Sequence, residues 1–277
     1  MTVQIVCADS LKIDPAFVRQ FHLLYTDPPY SEHVHKSATS QSARGGTRKR
    51  ELGFESLTRK ARSVTAMCAA NVQRWSLVYS DVESSNYLAI AAQARGAEYV
   101  RTMPWVRWSM PQLLGDRPPQ GFEHVVCLHA AGPKGKPVRK HWNGPGNLTH
   151  LDHLALRGEG KHKCEKPLDQ ALELVSFFSD PGENVLDLFA GSGTFGLACL
   201  ILGRHYFGCE LDLEWARRAE MRLHGALSDR DRERLGRFIA LDREPVSALK
   251  EGPSLAREAA RASDKDRARA FLLRAVA

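Results

Sequence analysis

The chain has 277 residues, 43% of them hydrophobic, and a formal net charge of +7. That length supports one large α/β core with a modest accessory region and removes the need for two independent cores; no apolar run approaches membrane-spanning length. The basic balance favours an acidic partner such as nucleic acid, although a basic surface also serves solubility alone. The cysteines at 7, 68, 127, 164, 199 and 209 include no CxxC pair and mostly sit in apolar runs, as reduced thiols do. The first residues lack the basic region and apolar stretch of a signal peptide, so the expectation is a soluble, cytoplasmic protein without a membrane partner.

In chain order, residues 3–8 read as a brief strand ending in Asp9-Ser10-Leu11, and residues 21–26 as a second ending in Asp27-Pro28-Pro29-Tyr30. Between them Asp14-Pro15 has the form of a helix start. The paired prolines fix φ and remove two consecutive backbone donors, so the strand cannot go on pairing and the flanking carbonyls are left to accept from another group. A substrate amino group is one such donor; a plain turn is the other explanation, since Asp and Pro are turn residues. Residues 31–60 are polar and basic, with Lys36, Arg44, Arg48, Lys49 and Arg50, and read as a long loop that either contacts DNA or is merely solvated.

Helices over 57–72 and 84–95 then alternate with strands over 75–79 and 97–105, and 122–129 is the last strand of this half. Residues 131–164 are rich in Gly, Pro, Lys and His without periodicity. Lys166-Pro167 introduces a helix over 169–179, and the apolar run 184–189 enters the glycine turn Asp187-Leu188-Phe189-Ala190-Gly191-Ser192-Gly193-Thr194. A helix over 195–202, a strand over 205–209 ending on Glu210 and a helix over 212–224 follow. Past Gly225 the chain is mostly Arg, Asp, Glu and Ala, a charged helical tail expected to be solvated or packed on a partner. The alternation predicts a doubly wound, mostly parallel α/β sheet.

Strand, Gly191-x-Gly193-x-x-Gly196, helix and a downstream Glu210 satisfy the dinucleotide fingerprint literally, which leaves nicotinamide or flavin binding open. An acid ahead of the glycines suits instead a ligand carrying a sulfonium and an ammonium, as S-adenosylmethionine does.

With Asp27-Pro28-Pro29-Tyr30 ahead of Phe189-x-Gly191-x-Gly193, the chain resembles the β-class amino-methylating DNA methyltransferases over about residues 3–224. The resemblance implies a circularly permuted, Rossmann-like sheet in which the two motif strands are neighbours, in a bacterial or phage-encoded enzyme. It implies S-adenosylmethionine as cofactor, with Asp187, Phe189, Gly191, Gly193 and Thr194 on the methionine side, Glu210 on the ribose hydroxyls, and Asp9, Ser10 and Leu11 at the adenine. Lys166 and Pro167 are similar to the family's N-terminal methionine-binding motif, although its His-Pro-Thr lead-in reads His162-Lys163-Cys164 here. Asp27, Pro28, Pro29 and Tyr30 are the implied catalytic residues, acting on the exocyclic amino group of a base flipped from double-stranded DNA.

Asp at the first motif position favours N6-adenine, with N4-cytosine the runner-up; an RNA or protein N-methyltransferase and a non-catalytic DNA-binding module are further alternatives. Target recognition falls on a 131–163 insertion, where Lys134, Lys136, Arg139, Lys140 and Trp142 face DNA, together with the basic loop. Residues 1–224 form the catalytic domain and 225–277 the tail. A homodimer and a companion restriction endonuclease are open as partners. No metal is expected, because His150, His153, His162 and Cys164 match no common zinc spacing.

Overall fold

The computed structural model describes residues 2–32, 34, 40–43, 46–49, 56–107, 121–132, 140–145, 148–154, 164–241 and 254–276. Its strands are β1 (Val3–Cys7), β2 (Leu23–Thr26), β3 (Ser40–Ala43), β4 (Gly46–Lys49), β5 (Trp75–Ser80), β6 (Glu98–Val106), β7 (Phe122–His129), β8 (Asn184–Asp187) and β9 (His205–Glu210). Seven of them form one sheet in the order β1-β9-β8-β2-β5-β7-β6, while β3 and β4 pair separately as an antiparallel hairpin. Within the large sheet β7 runs antiparallel to both β5 and β6, and the remaining pairs are parallel. Every residue of β2 and β5 is buried, as strands covered on both faces require.

One face is covered by α1 (Pro15–Val18), α2 (Arg59–Asn71) and α3 (Val82–Gln93), which set Val18, Ala66, Ala69, Leu88 and Ala92 against Leu24, Val78, Val126 and Leu186. The other face carries α4 (Leu168–Phe178), α5 (Thr194–Leu202) and α6 (Leu213–His224). Asp14, Thr58, Asp81 and Asp212 each accept a first-turn backbone N–H, so the starts of α1, α2, α3 and α6 are encoded by side-chain caps. Residues of α4 are buried all round, because α7 (Asp229–Ala240) lies across the side turned away from the sheet.

That contact corrects the reading of residues 225–277 as an appendage. Leu227, Leu235, Phe238 and Ala268 belong to the main core, the last of them on α8 (Ser254–Val276). Asp264 of α8 grips the fully buried Arg204 through two hydrogen bonds of 2.5 and 3.0 Å. Removing one partner of such a pair strands a buried charge, typically at about 3–5 kcal/mol. The composition of the tail hid this, because its charges serve as internal pairs.

The winding reverses between β8 and β2. From β8 the chain passes through α5 to β9 on one side, and from β2 through α2 to β5 on the other, so the carboxyl ends of β2 and β8 flank a crevice. Their register, Leu23 opposite Val185 and Leu24 opposite Leu186, brings Asp27 and the glycine turn together across some 160 residues of sequence (187 − 27). β8 stops at Asp187, short of the predicted 189, because its next two backbone donors turn to side chains: Leu188 N–H to Thr26 Oγ1 at 3.1 Å and Phe189 N–H to Asp187 Oδ1 at 3.0 Å. Among the described residues no helix is long and apolar enough to cross a membrane.

Candidate active site

At the end of β2, Asp27 is held among charges. Its Oδ2 accepts from the Lys166 ammonium at 2.5 Å, while Oδ1 is buried without a hydrogen-bond partner. Burial pushes the Asp27 carboxyl up to about 6, against the opposing pull of Lys166. Lys166 also lies 3.4 Å from Glu123 Oε2 and 3.4 Å from the Tyr30 hydroxyl. Burial alone would lower its pKa; Asp27 and Glu123 outweigh that and hold the ammonium above its ordinary range. Ring faces surround it, with the centroids of Tyr79, Tyr30 and Trp105 at 4.8, 5.4 and 6.0 Å.

Glu123, on β7, accepts from the Tyr30 hydroxyl and pairs with Arg107. Burial works against its charge, but Lys166 and Arg107 prevail and hold its carboxyl below the usual range. The Tyr79 hydroxyl donates to Gln170 Oε1 at 2.6 Å, and Tyr25 lies 3.3 Å from it, oxygen to oxygen. Tyr25 stacks on Phe195 with centroids 3.9 Å apart, so the first turn of α5 is keyed to β2.

The glycine turn is built differently. Gly191 and Gly193 have φ of 51° and 76°, in the left-handed region that a side chain resists. A Cβ on Gly193 would stand 3.0 Å from that of Ala219 on α6. Glu210 binds the turn directly, its two oxygens accepting from Gly191 N–H at 2.8 Å and Asp212 N–H at 3.0 Å. Arg222 donates to the Ser192 carbonyl at 3.1 Å and to Thr194 Oγ1 at 2.9 Å, and pairs with Glu165, the residue before Lys166, at 2.9 Å. One guanidinium thereby ties the turn to the segment that supplies Lys166.

Asp187 faces inward. Its Oδ1 accepts from Thr26 Oγ1 at 2.7 Å and from Phe189 N–H; its Oδ2 accepts from the Tyr206 hydroxyl at 2.9 Å. Burial drives its carboxyl up to about 7, with these hydrogen bonds opposing. Asp187 thus braces the turn and joins it to β2.

The carboxyl edge gathers the other expected ligand residues. Ala8 N–H donates to the Glu210 carbonyl at 2.9 Å, which sets Asp9, Ser10 and Leu11 beside Glu210. Asp9 itself accepts from Leu11 N–H at 3.0 Å and lies 3.7 Å from the Lys12 ammonium, a turn role. Pro167 starts α4, whereas Lys166, expected with the cofactor group, reaches Asp27.

Of the residues expected to meet DNA, Lys36, Arg44, Arg50, Lys134, Lys136 and Arg139 lie outside the described residues, and Arg48 and Lys49 stand on β4. Lys140 pairs with Glu98 at 2.6 Å on the outer strand β6. Trp142 is half-buried at the core edge, its ring packed on Phe177 and Phe178 with centroids 5.5 and 4.8 Å away. Glu123, Arg107, Tyr79 and Arg222 were missed. The available signal was Glu123, a lone carboxylate in the apolar run of β7, where an acid is seldom buried without a task.

Residues 21–221 match the model of the N6/N4 DNA methylase family. The Type II methyltransferase M.HindIII of Haemophilus influenzae is 37% identical over 137 residues, 42% of this chain and 43% of its own length. M.SmaI of Serratia marcescens is 33% identical over 150 residues, 49% of this chain and 50% of its own. The chain therefore aligns with half or less of each of these curated relatives. The solved M1.HpyAVI–SAM complex superposes with a TM-score of 0.58 at 26% identity, over 79% of this chain and 99% of that one. The PvuII cytosine-N4-specific DNA methyltransferase shares the fold, with a TM-score of 0.54 at 13% identity over 95% and 92%. With the family model spanning 21–221 of 277 residues, and with Asp27 and the glycine turn meeting at the reversal of the sheet, the chain belongs to the N6/N4 DNA methylase family.

Proposed function

We propose that this chain is a DNA methyltransferase that moves the methyl group of S-adenosylmethionine to the exocyclic N6 of an adenine flipped out of the duplex. The observation that carries the reading is Asp27 Oδ1: a buried carboxylate oxygen without a hydrogen-bond partner, beside two prolines that bring no backbone N–H of their own. Leaving such an acceptor unmade costs about 1–3 kcal/mol, which a donor supplied by the substrate would recover.

The crevice suits the cofactor by its own construction. Two left-handed glycines allow close approach of a ligand at the end of β8, and the Glu210 carboxylate lies at the end of the adjacent strand with capacity to accept ribose hydroxyls besides its two backbone donors. When bound, S-adenosylmethionine supplies an electrophilic methyl on a sulfonium. Gly191, Gly193, Thr194 and Phe189 would line its methionine side, and Glu210 its ribose.

An exocyclic amino nitrogen is a weak nucleophile because its lone pair is delocalised into the ring. Asp27 and the Pro28 carbonyl would each accept one of its hydrogens, which favours a tetrahedral nitrogen and directs the lone pair away from the ring. The work is positioning and electrostatics. Tyr30, its hydroxyl fixed on Glu123, would offer its face to the base. Asp in place of Ser ahead of the prolines supports adenine over cytosine. The net charge of +7 supports DNA as the partner.

The test is incubation with tritiated S-adenosylmethionine and unmethylated genomic DNA, followed by nucleoside analysis by mass spectrometry, with Asp27→Ala as control. The expected product is N6-methyladenine, absent in the variant. N4-methylcytosine would keep the mechanism and change the base. Cofactor binding with no label in DNA would end the reading.

A further inference from the structure

Tyr30 can present its face to a base only if the backbone that carries it is fixed. Two prolines precede it, so the stretch from Asp27 has few backbone N–H groups by which the protein can hold it. The next donor along, the N–H of the buried Ser31, goes to Asp81 Oδ2 at 2.7 Å. Ser31 Oγ adds a longer contact to Glu83 Oε2 at 3.4 Å. On the near side, the Tyr30 carbonyl accepts from Leu57 N–H at 2.9 Å, just ahead of α2. With its hydroxyl on Glu123, Tyr30 is held at the tip of its side chain and on both sides of its backbone.

Asp81 is buried and also caps α3: its Oδ1 accepts from Ser84 N–H at 2.7 Å, and Oδ2 accepts from Ser84 Oγ at 3.1 Å. The sheet register brings it to Ser31. β5 lies beside β2 with Val78 opposite Thr26, so the residues that follow each strand leave the carboxyl edge together. A helix start asks for one accepting oxygen, which Ser or Asn supplies about as well as Asp. The cap therefore does not explain the second oxygen, a charged and hence strong acceptor committed to the exit from the two prolines.

We propose that Asp81 is a positioning residue of the base site: its Oδ2 pins Ser31 and so sets the ring of Tyr30 for the incoming base, while its Oδ1 caps α3. The consequence for turnover rests on the methyltransferase reading. The pin itself does not depend on it.

Asp81→Asn and Asp81→Ser separate the two roles, since each offers α3 a favoured cap with one accepting oxygen in place of two. The pin is tested first on the protein alone, by amide hydrogen exchange and mass spectrometry. From Asp27 to Ser31 only Asp27, Tyr30 and Ser31 carry an amide hydrogen, so the peptide reports on few sites. Its exchange should quicken by about tenfold or more in Asp81→Ser, the scale of losing a hydrogen bond to a charged group, with the first turn of α3 as protected as before. Unchanged exchange in both variants would overturn the pin.

The positioning role is then read by methylation of DNA at saturating S-adenosylmethionine. Asp81→Ser should lower kcat/KM by about tenfold, within the loss that Tyr30→Ala itself produces, and leave cofactor affinity unchanged. On the Tyr30→Ala background the same substitution should cost less than about threefold, because residues that act through one another are not additive. A merely structural Asp81 costs the same factor on both backgrounds, and that result would overturn the proposal. If the wild type labels no DNA, the methyltransferase reading fails and the effect on turnover falls with it, while the exchange series still decides whether Asp81 pins Ser31.

Discussion

The two halves of the crevice are built from the same residue types and held in opposite ways. Around the glycine turn, Glu210 and Asp187 spend their oxygens on backbone N–H groups and hydroxyls of the protein. Around Asp27, carboxylates meet cations: Lys166 is shared between Asp27 and Glu123, Arg107 pairs with Glu123, and one Asp27 oxygen has no partner. The first half is a finished cradle, whose rigidity comes from short internal hydrogen bonds and left-handed glycines. The second is an ion-pair network that leaves one buried carboxylate oxygen open to a donor. Preorganisation suits a cofactor shared by every turnover, and an open acceptor suits a base that enters and leaves.

The largest effect should follow from Asp27→Ala, which removes the acceptor and leaves Lys166 to Glu123. A loss of about 10²–10³-fold in kcat is expected, the scale of deleting one oriented electrostatic group, with cofactor affinity nearly unchanged. Isothermal titration with S-adenosylmethionine beside single-turnover methylation separates the two quantities. Equal loss of cofactor binding would show that the halves are one unit and cancel the contrast.

Tyr30 comes next. Tyr30→Ala should weaken DNA turnover by about 1–3 kcal/mol, the worth of one base–aromatic stack. Tyr30→Phe, which keeps the face and loses the bond to Glu123, should cost less. Loss as complete as that of Asp27→Ala would mean that the ring shapes the site and does more than stack.

On the other side, Gly193→Ala forces a side chain into φ of 76° and against Ala219, a strain of about 1–2 kcal/mol. Cofactor affinity should fall by roughly tenfold with kcat at saturation little changed. A drop in kcat at full occupancy would place Gly193 in the chemistry.

Much of this division could be read from residues before any coordinates. Asp27-Pro28-Pro29-Tyr30 and the glycine turn announced themselves because each breaks a local rule: prolines ending a buried strand, and glycines where a helix begins. The parallel core followed from apolar runs bounded by capped helices. What escaped was the long-range pairing of charge. Glu123 looked like one acid in a strand, Arg222 like helix surface and Asp264 like tail, and only the topology shows that they face Lys166, the glycine turn and Arg204. Trp142 reads in the sequence only as an aromatic among lysines, and the fold adds Phe177 and Phe178 beneath its half-buried ring.

The smallest effect is the one that sets activity against stability. Asp27 must be ionised to accept from an amino group, so the methylation rate should rise with pH through about 6, reaching half its plateau there. Asp27 and Asp187 have folded pKa values raised above 3.8, to about 6 and about 7. A raised acid binds its proton more tightly in the folded state, so the stability it contributes is fully present below the unfolded value and is lost as pH rises through the folded one. Between pH of about 4 and 7 the stability contributed by Asp27 and Asp187 should therefore fall as activity rises. Asp187→Asn should flatten the upper part of the melting-temperature profile and leave the rate limb near 6 in place, because Asp187 braces the turn and does not meet the base. Melting curves and single-turnover rates at matched pH check both slopes. A rate limb that moves with Asp187→Asn would show that the cradle titrates together with the base site, and the separation of the two halves would be lost.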